Sequence, residues 1–173
     1  MKITAGGRTA ASVSYFRNFV FGVEDSLVST VGLLSGVAIA DASRQTIFLT
    51  GTILILVEAF SMAAGSFLSE YSADSYASHT EKTSRGDVAS AVIMFFSYLI
   101  SGLVPLLPYM FMPVDQAIWF SAGLSLACLL LLGIIGARIS GIRVWRNAFR
   151  MLIVGGAAIA VGALAGALLP PIA

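Results

Sequence analysis

The sequence predicts an all-α integral membrane protein built from five transmembrane helices. Of its 173 residues, 58% are hydrophobic and only 11% are charged, whereas a soluble domain has about 25% charged residues. The mean hydropathy is +0.92, and five apolar runs reach the roughly 20 residues that a helix needs to cross a bilayer. The net charge of +1, with no basic run among aromatic residues, argues against a nucleic-acid partner. We therefore predict one transmembrane domain over residues 1–173, in contact with the lipid bilayer.

The five predicted spans are separated by short polar links. The first span is closed before Asp41. Pro105 and Pro108 are expected to kink or end the third, because proline removes a helical hydrogen bond. A basic loop separates the fourth span from the fifth. The predicted spans are residues 16–40, 46–69, 88–111, 116–137 and 149–169.

The segment between spans two and three, residues 70–87, is the most polar in the chain. We expect it to continue the second helix into water and then to turn at residues 85–87. Its acidic residues, among them Asp87, are expected to form a solvated face. The alternative is that Glu70 and Asp74 form a weak cation-collecting mouth on the cytoplasmic side of an ion pathway.

The Lys and Arg residues predict how the chain is oriented, because cytoplasmic loops carry an excess of both. With these five spans, every Lys and Arg except Arg44 lies on one side of the membrane. We therefore expect a multi-pass protein with its N-terminus in the cytoplasm and its C-terminus outside, or in an organelle lumen. In a prokaryote, the membrane would be the plasma membrane.

Three carboxylates lie within apolar spans: Glu24 and Asp25 in the first and Glu58 in the second. An ionisable side chain at membrane depth costs about 2.5–3.5 kcal/mol on insertion scales, and such groups usually mark an ion pathway. Asp25 lies about 13 Å deep at 1.5 Å per residue, and Glu58 lies close to the midplane. Met62 is one turn from Glu58 on the same helix face. Because a short turn joins spans one and two, we expect antiparallel neighbours in which Asp25, Glu58 and Met62 converge.

These three side chains, with Glu24 as a further candidate metal ligand, suit a first-row divalent ion. Carboxylate oxygens alone suit Mg²⁺, Ca²⁺, Mn²⁺ or a proton, whereas a thioether sulfur favours softer ions, so the whole set suits Fe²⁺, Mn²⁺, Co²⁺ or Zn²⁺. Carboxylates also exchange protons for metal. The structural alternatives stay open: Met62 packs in the bundle, Asp25 hydrogen-bonds within it, and Glu24 snorkels or pairs with Arg17.

Two other functional classes compete with ion transport. One is a membrane metal sensor or assembly module that has the same fold and transports nothing. The other is an intramembrane enzyme. The sequence argues against it, because the single histidine, His79, lies outside the spans, and neither a Gly-x-Ser-x-Gly nor a His-Glu-x-x-His motif is present. We expect no catalytic residues and no cofactor.

Four segments resemble motifs of the vacuolar iron transporter family, in the same order. They are FGVEDSLVST at residues 21–30, SMAAGSFLS at 61–69, GLVPLLP at 102–108 and RNAFRMLIVGG at 146–156. The resemblance implies a five-helix homodimer that exports Fe²⁺ or Mn²⁺ from the cytoplasm against protons. The pathway would run along the dimer interface, between the first and second helices. The resemblance also implies that Asp25 and Met62 are the pathway aspartate and methionine.

The sequence departs from the family pattern at three points. Plant-type members carry a long glutamate-rich cytoplasmic domain between helices two and three, and this chain resembles a short form without it. Glu58 lies one turn from Met62, whereas the plant-type glutamate lies about two turns away. Ser26 stands where glycine is commoner. In the homodimer, small residues of the first two helices are expected to allow close approach, namely Gly32, Gly36, Ala64 and Gly65.

Overall fold

The computed structural model describes residues 10–79 and 83–169, and every regular element in these ranges is an α-helix. All five helices are long and apolar enough to cross a membrane, which confirms the predicted all-α membrane fold. Predictions that concern Lys2, Arg8 and Lys82 lie outside the described residues. The helices are α1 (Ala10–Ile39), α2 (Arg44–Ser78), α3 (Arg85–Phe111), α4 (Val114–Ser140) and α5 (Val144–Leu168).

The first, second and fourth helices are clearly longer than the predicted spans. The 35 residues of α2 extend over about 52 Å at 1.5 Å per residue, well beyond a hydrocarbon core of about 30 Å. Its last turns, up to Ser78, lie in the polar segment, as expected. The basic loop predicted between spans four and five is mostly helical instead, since only residues 141–143 separate α4 from α5.

The connection between α2 and α3 turns earlier than predicted. His79 follows α2 in a left-handed conformation, and its N–H donates to the Ser75 carbonyl. Ser84 and Asp87 then form a capping box, in which the Asp87 N–H donates to the Ser84 hydroxyl at 3.2 Å and the Ser84 N–H donates to the Asp87 carboxylate at 2.7 Å. Because this box satisfies free N–H groups at a helix start, residues 85–87 form the first turn of α3, and the turn predicted there is wrong. Asp87 is only 2% exposed, so its predicted place on a solvated face is also wrong.

The two prolines of α3 lie inside the helix. The helix runs through Pro105 and Pro108 and ends at Phe111, so the predicted end of the third span is confirmed, and neither proline causes it. Both prolines are buried, and packing in the bundle offsets the backbone hydrogen bonds that they remove. The Ser121 hydroxyl of α4 donates to the Pro105 carbonyl at 2.7 Å, which ties this part of α3 to α4.

The centre of the bundle is formed by α1 and α3. The third helix packs against α1, α2 and α4, whereas α1 packs mainly against α3 and α5 and makes smaller contacts with α4 and α2. Leu34, Ile55 and Tyr109 are buried together where α1, α2 and α3 meet. The expected contact between spans one and two is present, since side chains of α1 and α2 bond directly to each other, but it is smaller than the contact that each makes with α3.

A seam of glycines joins α1 to α5. A Cβ placed on Gly162 would lie 1.9 Å from the Gly32 carbonyl oxygen, and one placed on Gly166 would lie 2.0 Å from the Gly36 carbonyl oxygen. Gly32 and Gly36 are thus covered by α5 of the same chain, so their predicted role at a dimer contact is wrong. Gly65 remains exposed on α2, and a Cβ there would meet no atom within 4 Å.

Candidate functional site

Glu58 is held by two hydroxyl groups from neighbouring helices. The hydroxyl of Tyr98, a fully buried residue of α3, donates a short hydrogen bond to Glu58 Oε2. Ser29 Oγ of α1 lies 3.3 Å from the same oxygen and 2.7 Å from the Tyr98 hydroxyl. Both donors therefore converge on Oε2. Oε1 accepts no hydrogen bond from any residue that the structure describes, and it is open to another ligand.

Asp25 lies one turn before Ser29 on α1 and is half-buried. Its carboxylate is close enough to that of Glu58 for the two charges to repel each other, and the same holds for Glu24 and Asp25. Within the described ranges, no side chain hydrogen-bonds to the Asp25 carboxylate, so the alternative that Asp25 is satisfied within the bundle is wrong. A bound cation would relieve the repulsion between these like charges.

Two cavities lie along α1 and α2, one on each side of Asp25. The first, which we name the Met62 cavity, has a volume of about 660 Å³. The second, the Glu58 cavity, has a volume of about 620 Å³ and lies among α1, α2 and α5. The Met62 cavity is lined by Arg17, Asn18, Phe21, Ser61, Met62, Gly65, Ser66, Ser69 and Met94. The Glu58 cavity is lined by Val28, Ser29, Gly32, Leu33, Gly36, Val37, Ala40, Leu54, Glu58, Ala158, Val161, Gly162, Ala165, Gly166 and Leu169.

The position of Asp25 between these cavities follows from the helix register. Along α1, Phe21 lines the Met62 cavity and Val28 lines the Glu58 cavity, with Asp25 between them. Along the antiparallel α2, Met62 lines the Met62 cavity and Glu58, one turn earlier in the helix, lines the Glu58 cavity. Asp25 itself lines neither cavity, whereas Glu58 and Met62 line different ones. The carboxylates of Asp25 and Glu58 are near enough for their charges to interact. A shared ion among all three side chains stays a prediction.

The predicted mouth residue Glu70 already has a cationic partner. Arg17 of α1 forms an ion pair with it, and the Ser14 hydroxyl donates to the same carboxylate oxygen. Because Arg17 pairs with Glu70, the alternative in which Arg17 pairs with Glu24 is wrong. Asp74 is exposed. Within the described part of a single chain, no group of three or more His, Cys, Asp or Glu side chains could hold a metal ion.

Sequence reasoning missed Ser29 and Tyr98. Ser29 carried a usable signal, because it stands four residues after Asp25 and therefore on the same helix face. Tyr98 carried none, because neither its type nor its spacing connects it with a carboxylate on α2. Only the packing of α3 between the other helices reveals its contact.

Comparison with known proteins identifies the family. The model of the VIT family matches residues 16–87 and 77–167, which together cover most of the chain. The chain belongs to the VIT family. The family predicted from the four sequence motifs is confirmed.

Three curated proteins of Oryza sativa subsp. japonica are similar to this VIT chain. Vacuolar iron transporter 2 is 40% identical over 72 residues, which are 41% of this chain and 29% of the relative. Vacuolar iron transporter 1 is 44% identical over 69 residues, 39% of this chain and 27% of the relative. Vacuolar iron transporter homolog 1 is 29% identical over 189 residues, 93% of this chain and 80% of the relative. The match thus spans less than a third of the length of the first two relatives.

Proposed function

We propose that this VIT protein carries a divalent transition-metal ion, Fe²⁺ or Mn²⁺, across the membrane and exports it from the cytoplasm in exchange for protons. The observation that carries this proposal is the pair of mutually repelling carboxylates Asp25 and Glu58 on two membrane-spanning helices. Glu58 lines one cavity, and Asp25 stands along α1 between the residues that line the two cavities. The names of the three relatives support iron as a substrate.

The chemistry of the pair suits a cation that is bound and then released. Glu58 Oε1 and the Asp25 carboxylate supply hard oxygen ligands, and the thioether of Met62 adds a softer one on the side of the Met62 cavity. Carboxylates must be ionised to bind a metal, so metal binding expels protons and protonation expels metal. The same two groups can therefore bind the ion and carry the counter-proton.

We further propose that the transporter is a homodimer in which α2 faces the second copy. One chain offers two close carboxylates, too few ligands to enclose an ion, and a two-fold axis would double them. The outward face of α2 is apolar and well exposed, with Val57 61% and Phe60 72% exposed, and Gly65 lies on the exposed part of the same helix. Cross-linking of a Gly65→Cys variant in membranes tests this. A protein that remains monomeric throughout would contradict it.

The deciding experiment is ion uptake into proteoliposomes with an imposed pH gradient, run in parallel with Fe²⁺, Mn²⁺, Zn²⁺ and Ca²⁺. We expect uptake of Fe²⁺ or Mn²⁺ that depends on the gradient. Asp25→Asn and Glu58→Gln should each reduce it about tenfold or more, because each removes an ionised ligand of the ion, and loss even of an outer-shell partner costs about 10–100-fold in metal affinity. Asp115→Asn is the matched control, since this carboxylate lies in the first turn of α4 and lines neither cavity.

Two results would contradict the proposal. If Asp25→Asn and Glu58→Gln take up the ion at the wild-type rate, transport does not require the carboxylate pair. Metal binding without any flux would favour a sensor or an assembly module with the same fold.

A further inference from the structure

The ion pair between Arg17 and Glu70 ties together two helices that otherwise make a small mutual contact. Glu70 lies on α2 and is 19% exposed, whereas Arg17 lies on α1 and is 65% exposed. The Ser14 hydroxyl also donates to Glu70 and lies 3.3 Å from the Ser90 hydroxyl of α3. Glu70 therefore stands in a polar cluster to which three helices contribute.

This cluster stands at the rim of the Met62 cavity. Arg17 itself lines that cavity. Beside it, Ser66 donates to Asn18 Oδ1 at 3.1 Å, and both residues are buried and line the same cavity. Positions 62 and 70 of α2 are about 12 Å apart along the helix axis. Polar side chains thus line the path from Glu70 to Met62. Arg17 places a positive charge at the Glu70 end of this path.

We propose that Glu70 is the first cation-binding site of the pathway and that the guanidinium of Arg17 occupies it until a divalent ion displaces it. This proposal rests on the transport function proposed above. Arg17 is largely exposed, so its guanidinium can move into water when an arriving divalent cation takes its place at Glu70. The released guanidinium moves into water, and the rim of the Met62 cavity opens. When the ion moves on, Arg17 returns to Glu70 and closes the rim.

Substitutions of Arg17 and Glu70 should have opposite effects on ion uptake, whereas a purely structural ion pair would give the same effect for both. In Arg17→Gln, Glu70 loses its tethered competitor, so the half-saturating Mn²⁺ concentration for uptake should fall about threefold. In Glu70→Gln, the first site is lost and an unpaired Arg17 repels the ion, so this concentration should rise about tenfold. If the pair only holds α1 against α2, both variants lose the same contact and shift uptake in the same direction.

A second readout does not depend on transport. In a Cys128→Ala background, Ser66→Cys places a thiol on the wall of the Met62 cavity. A water-soluble thiol reagent should label it slowly in the absence of metal, and faster when Mn²⁺ is added or when Arg17→Gln is introduced. Glu70→Gln should abolish the response to Mn²⁺. Arg17→Lys keeps the charge and should behave like the parent, and Arg85→Gln controls for the loss of one positive charge.

The outcomes are distinguishable. A labelling response to Mn²⁺ in a protein without flux would uphold the binding site and overturn the proposed transport. Flux with unchanged labelling, or shifts of equal sign in Arg17→Gln and Glu70→Gln, would overturn the tethered-cation proposal and leave transport standing.

Discussion

Replacing Gly162 with alanine tests the glycine seam between α1 and α5. The new Cβ would lie 1.9 Å from the Gly32 carbonyl oxygen and 2.7 Å from its carbonyl carbon. Real Cβ atoms essentially never approach another atom within 3.0 Å, so the helices must separate by about 1 Å. Both contacts are with backbone, so no side chain can rotate away to relieve them.

The expected cost follows from the size of this clash. Inserting a methyl group into a well-packed site usually costs about 1–3 kcal/mol. The matched control is Gly156→Ala on the same helix, where a Cβ would meet no atom within 4 Å. Alanine is the better helix former by about 0.8–1 kcal/mol, so the control should be neutral or slightly stabilising.

The assay is thermal unfolding of the detergent-solubilised protein, followed by fluorescence-detected size exclusion. For a chain of this length, 1 kcal/mol shifts Tm by about 2–4 °C, so Gly162→Ala should unfold about 2–12 °C below the wild type, and Gly156→Ala should not. Equal Tm values for the two variants would refute the close approach of α1 and α5. Gly162→Ala should also slow ion uptake, because separation of α5 from α1 displaces Ser29 of α1, one of the two donors to Glu58.

Four further predictions concern the site and the fold. Tyr98→Phe should raise the half-saturating Mn²⁺ concentration for uptake by about tenfold or more, because a hydrogen bond to a charged group contributes about 1.5–3 kcal/mol; an unchanged value would remove Tyr98 from the site. Met62→Leu keeps the volume and loses the sulfur, so it should weaken Fe²⁺ uptake more than Mn²⁺ uptake, and equal losses would assign Met62 to packing. Ser84→Ala removes the cap of α3 and should lower Tm by about 2–4 °C, since a cap contributes about 1 kcal/mol. Cysteines at Ser43 and Ser140 should be labelled from opposite sides of the membrane, and labelling of both from one side would overturn the predicted orientation.

The helices could be predicted from sequence because their signal is local. Apolar runs of sufficient length have few alternatives in a membrane, and all five appear where the hydropathy placed them. The exact ends depended on side-chain contacts that composition does not reveal. Asp87 illustrates this: in a polar segment it suggested a solvated face, yet its distance of three residues from Ser84 allowed a capping box, which buries it and begins α3 at Arg85.

Prediction of the site was limited by packing between distant elements. The carboxylates Asp25 and Glu58 stood out because charge at membrane depth is expensive, and the structure does bring them together. The small residues Gly32 and Gly36 correctly indicated close helix approach, but sequence could not say which helix approaches them. That partner, α5, and the contact of Tyr98 with Glu58 both depend on how α1, α2 and α3 are arranged around one another.

The two cavities beside the carboxylate pair differ in the number of polar side chains that could bind an ion. On the side of the Met62 cavity, an ion meets the hydroxyl groups of Ser61, Ser66 and Ser69 together with thioether sulfur. On the other side, Glu58 and Ser29 are the only side chains with polar atoms among the described residues that line the Glu58 cavity. An ion that has left Glu58 therefore finds no further ligand in that cavity. In the proposed cycle, release therefore depends on protons that reach Glu58 and Asp25 and displace the metal from both carboxylates.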